Sequence, residues 1–336
     1  MGQDSNAFDN KLRCTAYQVQ GRFKRKAVSV FMMIAMGVMS IEAMAKPDLT
    51  TPVDMQLLYA KDSGYHFMSQ DFIAPAPKVD KADNEQYAKP RHYRVWLGIP
   101  KVASNQNHHK VLYMLDGNAA LDELDKAGLK RLSEQSAPVL VFIGYQVPYR
   151  FDVDARAYDY TPPRVANEPS EEMPAAFKEA ERARLNGGAE SFYQLIETKI
   201  KPWVYKQLPQ QPTHEALWGH SYGGLFVLYT LLEHPEAYQH YDSADPSLWW
   251  DDKAMLTRWQ TYQCANKGTD SVPSVRLTFS QSATQRAEED STVNDDKAQF
   301  GQQVCAYFGK RCHAQSYGQS HGELFSTSLQ TLLDSY

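Results

Sequence analysis

The 336-residue chain is 43% hydrophobic, 12% aromatic and 22% charged, with a formal net charge of −5. This composition is too apolar and aromatic for disorder and too poor in Gly and Pro for a fibrous chain, and the length admits one large α/β domain or two small ones. The weak acidic balance lacks the clustered basic surface that nucleic-acid phosphates require, so nucleic-acid binding is disfavoured.

Residues 1–45 differ from the rest. Arg22-Phe23-Lys24-Arg25-Lys26 is a basic run, Ala27 to Ile41 is apolar apart from Ser29 and Ser40, and Ala43-Met44-Ala45 supplies small residues before Lys46. Basic region, apolar region and A-x-A site together read as a secretory signal. A buried core helix and an uncleaved inner-membrane tether are the alternatives, although the apolar run is short for roughly 30 Å of hydrocarbon. Residues 1–21 form a long polar lead-in, which an over-extended start would explain. Cleavage would remove Lys11, Arg13, Arg22, Lys24, Arg25 and Lys26 against Asp4, Asp9 and Glu42, leaving a more acidic domain over 46–336. It would also remove Cys14 and leave Cys264, Cys305 and Cys312. An odd count in an oxidising compartment predicts one disulfide plus one thiol. Cys305 and Cys312 bracket a helix-end signal, Tyr307–Arg311, and are the favoured pair.

From residue 90 the pattern alternates strands and helices. Strands are predicted at Tyr93–Ile99, Val111–Leu115, Val139–Tyr145, Ala216–Trp218, Tyr241–Ala244, Val275–Phe279 and Ala314–Tyr317. Several are apolar throughout, as strands covered on both faces are. Helices are predicted at Leu121–Glu134, Ser191–Gln207, Gly224–His234, Thr292–Phe308 and Glu323–Leu333. The alternation implies βα units and a mostly parallel sheet in one α/β domain. Residues 161–188 interrupt it with Pro162-Pro163, Pro169, Pro174, a charged run and Gly187-Gly188. This stretch reads as a lid or as a solvated excursion.

The sharpest motif is Gly219-His220-Ser221-Tyr222-Gly223, with a strand before it and the apolar stretch Leu225–Leu232 after it. This is the G-x-S-x-G nucleophile elbow of an α/β-hydrolase, in which a strained turn lifts the serine hydroxyl above the sheet. Ser221 is therefore the candidate nucleophile. The Tyr222 amide, at the start of the following helix, is a candidate oxyanion donor. In this fold the histidine comes last in chain order, and Ser320-His321-Gly322 after the final strand makes His321 the candidate base. A second oxyanion donor comes from the loop after an early strand. Asp116-Gly117-Asn118 offers the Asn118 amide, unless this is an ordinary Asp-Gly turn. No His/Cys pattern calls for zinc, and His108-His109 reads as solvated loop. No cofactor is implied.

These segments carry a resemblance. Leu115–Asn118, Arg156–Pro162, Gly187-Gly188, the elbow, Pro246-Ser247-Leu248-Trp249-Trp250 and Ser320–Gly322 resemble the esterase-D-type esterase family, over roughly residues 55–336. Within it the chain is most similar to periplasmic hydrolases of catecholate siderophores, the enterobactin and salmochelin trilactone esterases. Gln281–Gln285 also resembles a segment of the latter. The resemblance implies an α/β-hydrolase fold and hydrolysis of a dihydroxybenzoyl-serine trilactone, iron-free or iron-loaded, through an acyl-enzyme. General carboxylester hydrolysis and siderophore binding without turnover are the competing functions.

One departure concerns the acid. The wider family carries a carboxylate just after the strand equivalent to Val275–Phe279, where this chain reads Ser280-Gln281-Ser282-Ala283-Thr284. The siderophore branch resembles it in working with a Ser–His dyad. Asp245, at the end of Tyr241–Ala244 where the family usually has Ser-Pro-Ser, is the alternative acid, or else simply begins a turn before Pro246. For substrate contacts, Trp249 and Trp250 could stack on catechol rings or pack in the core. Arg156 could hold an anion, position the elbow or form a structural salt bridge. An acidic enzyme facing an anionic ferric siderophore would need a local cluster such as Arg150, Arg156 and Arg164.

Overall fold

The strand β3 (Lys110–Met114) runs through the middle of the molecule and is covered on both sides. Val111 and Tyr113 join one apolar core, while Leu112 and Met114 join another. The same alternation holds in β4 (Val139–Tyr145), with Val139, Val141 and Ile143 on the first side and Leu140 and Phe142 on the second. Burial on both faces is why these strands are apolar at every position. The structure is a computed structural model and describes residues 51–79, 82–101, 110–135, 137–164, 175–178, 184–265, 273–281 and 291–336. The predicted signal segment, His108-His109, Ser282 to Gln285 and most of the 161–188 insertion lie outside the described residues.

With β1 (Tyr65–Ala74), β2 (Arg91–Pro100), β7 (His214–His220), β8 (His240–Ala244), β9 (Ser274–Ser280) and β10 (Cys312–Tyr317), these strands form an eight-stranded sheet. Its order is β1-β2-β4-β3-β7-β8-β9-β10. The pairs β1–β2 and β2–β4 are antiparallel and every other pair is parallel. The helices are α1 (Gly117–Asp122), α2 (Lys126–Gln135), α3 (Val153–Asp159), α4 (Ala189–Leu195), α5 (Lys201–Gln207), α6 (Tyr222–Glu233), α7 (Trp250–Ala265), α8 (Ser291–Phe308) and α9 (Glu323–Asp334). This is the mostly parallel, helix-flanked sheet of an α/β-hydrolase. Among the described residues no helix is long and apolar enough to cross a membrane.

Several of the described elements differ from the sequence expectation. The strand β1 was not predicted, since its residues are largely exposed or half-buried at the sheet edge. The expected helix Leu121–Glu134 is two helices, because Asp125 caps a new one by accepting a hydrogen bond from the Gly128 amide at 2.6 Å. The helices α3 and α7 were also unforeseen. Asp251, Asp252 and Lys253, at the start of α7, occupy the left-handed region. Of the 161–188 stretch, Phe177–Lys178 (β5) pairs antiparallel with Leu185–Asn186 (β6), and Phe177, Leu185 and Asn186 are buried. The described ends of that insertion are therefore packed against the domain.

The parallel strands share one direction, so their C-terminal ends open onto one rim. Asp116 follows β3, Ser221 follows β7, Asp245 follows β8, Ser280 ends β9, and the His321 loop follows β10. The predicted site residues thus come together from segments far apart in sequence.

Candidate active site

Ser221 sits between β7 and α6 at φ 61°, ψ −117°, a conformation that L-residues rarely adopt. Three hydrogen bonds hold it there. Its amide donates to the Ala244 carbonyl at 2.9 Å, and its carbonyl accepts from Leu225 at 2.9 Å and Ser247 at 3.3 Å. The turn needs bare backbone at two points. A Cβ at Gly219 would lie 2.5 Å from the Gly223 carbonyl oxygen, and one at Gly224 would lie 2.7 Å from that of Ala244. At Gly223 the nearest atom would be 3.6 Å away, an ordinary contact, so the motif's second glycine is not the tight one.

His321 donates its Nδ1 proton to Asp245 Oδ2 at 2.6 Å, since an ionised carboxylate can only accept. Its other ring nitrogen is thereby left as the basic one. The imidazole is also held from behind, where the His220 ring lies 4.5 Å away and its Nε2 donates to the His321 carbonyl at 2.9 Å. Burial, then the neighbouring His321, pushes His220 well below the usual imidazole range, so it stays neutral. His220, Asp245 and His321 bring ligand-type atoms within 4.8 Å of one another, but hydrogen bonds already join them. Ser221 Oγ is not hydrogen-bonded to His321 here. It lies 3.4 Å from Ser247 Oγ instead.

Asp245 is fully enclosed. Its Oδ1 accepts from the Ser280 amide at 3.1 Å and from Lys297 Nζ at 2.8 Å, and its Oδ2 accepts from Ser280 Oγ as well as from His321. Burial alone would raise this carboxyl, but the His321 hydrogen bond and the Lys297 charge outweigh it and hold the group well below the usual carboxylate range.

The loop after β3 is also braced. Asp116 takes a left-handed conformation (φ 49°, ψ 48°), donates its amide to the Tyr160 hydroxyl at 3.0 Å, and receives Arg156 through two nitrogens at 2.9 and 2.8 Å. Asn118 is buried, and its side chain ties α1 to the end of β4 through Tyr145 and Val147. Tyr222 opens α6, and the leading amides of a helix have no acceptor within its ladder.

The suggested substrate contacts separate. Trp249 is 40% exposed with its ring 6.0 Å from that of Tyr222. Trp250 is no stacking surface: it is 3% exposed, packs on Phe177 and donates its indole N–H to Asn186 at 3.1 Å. Nor do the arginines form a free cationic cluster. Arg156 is bound to Asp116, Arg150 to Asp122 and Glu123, and Arg164 lies 3.7 Å from Asp251 and over the Phe177 ring. Of its three readings, Arg156 shows the salt bridge. Cys305 and Cys312 form a disulfide, with Cα atoms 4.9 Å apart, that joins the end of α8 to the start of β10. Sequence reasoning missed His220, Ser247, Ser280 and Lys297. Only the Gly219–Gly223 motif hinted at His220, by adjacency.

Comparison with known proteins follows this geometry. The chain is 38% identical over 221 residues, 66% of its own length, to the apo-salmochelin esterase of Escherichia coli O6:H1 (strain CFT073), and spans 63% of that protein. It is 31% identical over 195 residues to the ferri-bacillibactin esterase BesA of Bacillus subtilis (strain 168), covering 56% of this chain and 65% of the relative. The chain thus spans somewhat under two thirds of these curated relatives. Among solved structures, the enterobactin and salmochelin hydrolase IroE superposes with a TM-score of 0.60 at 32% identity, over 81% of this chain and 95% of that one. A family model described as "Putative esterase" matches residues 88–323, and with an elbow serine and a histidine–aspartate pair on the rim of this sheet, the chain belongs to that esterase family.

Proposed function

We propose that this chain is a serine esterase that hydrolyses the ester bonds of a catecholate siderophore trilactone, of the enterobactin or salmochelin type, to aid iron release. The observation that carries the chemistry is the His321–Asp245 pair on the same rim as the strained Ser221 elbow. The names of the relatives, all of them siderophore esterases or hydrolases, support the substrate class.

In this reading Ser221 Oγ attacks the ester carbonyl while His321 Nε2 takes its proton. The Ser221–His321 contact, open here, tightens when substrate displaces the serine from Ser247, as such contacts commonly do on binding. The Tyr222 and Asn118 amides hold the tetrahedral oxyanion. Collapse breaks the C–O bond, and His321 returns the proton to the leaving serine hydroxyl of the trilactone. Water, activated by the same imidazole, then cleaves the acyl-enzyme. Asp245 keeps the imidazole in the productive tautomer and balances its transient charge. Trp249 is the aromatic surface left for a catechol ring, and Arg156 acts by bracing Asp116 beside the elbow. We assign residues 46–336 to the hydrolase domain, with 161–188 as a cover whose ends are pinned, and place the protein in the periplasm by its signal-like segment. The Cys305–Cys312 disulfide supports an oxidising compartment.

The test is hydrolysis of enterobactin, with and without iron, followed by chromatography beside a short-chain nitrophenyl ester. Linear and monomeric dihydroxybenzoyl-serine products are expected from the wild type, with Ser221→Ala at least about 10³-fold slower. Fast turnover of the simple ester with no trilactone cleavage would make the chain a general carboxylesterase. Siderophore binding without turnover of either ester would make it a binding protein.

A further inference from the structure

Lys297 belongs to no predicted motif, yet it lies against the most enclosed group of the site. It projects from α8, its side chain is 13% exposed, and its Nζ lies 2.8 Å from Asp245 Oδ1 and 3.3 Å from Ser280 Oγ. A carboxylate offers about four acceptor positions. In Asp245 all are engaged, by the Ser280 amide, Lys297, Ser280 Oγ and His321. The carboxylate therefore cannot turn, and only Oδ2 faces the imidazole. Its charge is shared between the imidazole on one oxygen and a fixed ammonium on the other.

We propose that Lys297 is a positioning residue for the esterase chemistry: it locks the Asp245 carboxylate towards His321 and sets how much negative charge that carboxylate presents to the imidazole. This rests on the serine-esterase reading of the site. An Asp–His pair without a third charge favours the protonated imidazole, which cannot accept the Ser221 proton. A cation on the far carboxylate oxygen counters that bias while keeping the orientation, so its replacement by a neutral side chain should favour the protonated imidazole. The other described titratable or charged groups around His321 are the neutral His220 from β7 and Glu323 from α9, which is bonded to the Ser320 amide and hydroxyl. Arg156, itself paired with Asp116, adds a smaller effect on His220. Lys297 is the described cation in contact with the acid.

The test is the pH dependence of kcat/KM on a nitrophenyl ester at constant ionic strength, for the wild type, Lys297→Met, Lys297→Gln and Lys297→Arg. In the two neutral variants the acidic-limb midpoint should rise by about 0.5–1 pH unit, and the high-pH plateau should fall about three- to tenfold. Lys297→Arg should keep the wild-type midpoint to within about 0.2 unit. Lys297→Gln carries the same readout should Lys297→Met fail to fold. A lower plateau with an unmoved midpoint in the neutral variants would mean a purely structural ion pair and would overturn the proposal. So would a midpoint that falls. Ser221→Ala is run alongside: if it stays active, the esterase reading of the site fails, whereas an inactive Ser221→Ala beside an unmoved Lys297→Gln midpoint sinks Lys297 alone.

Discussion

Asp245 combines an unusual backbone with a fully engaged side chain. It has φ 40°, donates its amide to the Thr278 carbonyl at 2.7 Å, and is 1% exposed. A neutral amide cannot replace it, because Asn would turn an NH2 towards Lys297 and Ser280 or towards His321, each of which already donates. Asp245→Asn should therefore lower kcat by about 10²- to 10⁴-fold, by analogy with a triad acid replaced by its amide. A steady-state loss under about threefold would exclude an orienting role. Sequence reasoning reached Ser221 and His321 by motif and chain order, but left Asp245 between an acid and a turn. The difference lies in the β8–β9 register, which sets Ala244 beside Thr278 and so brings Ser280 to the carboxylate. Lys297 was less visible still, since a lysine on a polar helix reads as solvated until the strand end beneath it is known.

At the scale of elements, the turn into α6 is controlled by close backbone approaches at Gly219, the motif's first glycine, and at Gly224, one residue beyond its second. Gly224→Ala would drive a methyl into the Ala244 carbonyl, which accepts the Ser221 amide, whereas Gly223→Ala meets Leu115 at ordinary contact distance. We expect Gly224→Ala to lower the melting temperature by several degrees, on the order of 1–3 kcal/mol, and to reduce activity more than Gly223→Ala does. Thermal melts and ester turnover on both variants check the ranking, and equal effects would refute it. The central strands were legible because burial on two faces leaves an unbroken apolar run, as in Val139–Tyr145. The strand β1 was not, because in Tyr65–Ala74 the consecutive polar residues Ser69, Gln70 and Asp71, on an open edge, break the apolar pattern. The helix α3 was hidden by its shortness, although Asp152 caps it by accepting from the Ala155 amide at 3.0 Å.

Across the whole molecule, acidity enters both stability and substrate capture. Glu190 on α4 receives Tyr229, His234 and Gln194, and these hydrogen bonds overcome burial to hold it near pKa 2 against an ordinary 4.5. A carboxyl lowered on folding adds stability above its unfolded value and loses it as pH falls through the folded one. The melting temperature should therefore drop between pH 4.5 and about 2, and Glu190→Gln should melt lower at pH 6 but converge on the wild type at the acidic end. A gap that stays constant with pH would show that the ionised form is not what stabilises. The arginines at the site are each paired with a carboxylate, so substrate entry gains little long-range pull from them.

The strand β10, finally, bonds to a neighbour on one side only, and most of its residues face solvent. Ser221 and Asp245 hang from interior strands, whereas His321 follows this outermost one. On heating, the edge will fray while the interior is still closed, since local opening begins where few contacts bury the backbone. Under the proposed mechanism, catalysis and the fold should accordingly have different thermal ceilings, with ester turnover lost a few degrees below the global melt as the placement of His321 fails first.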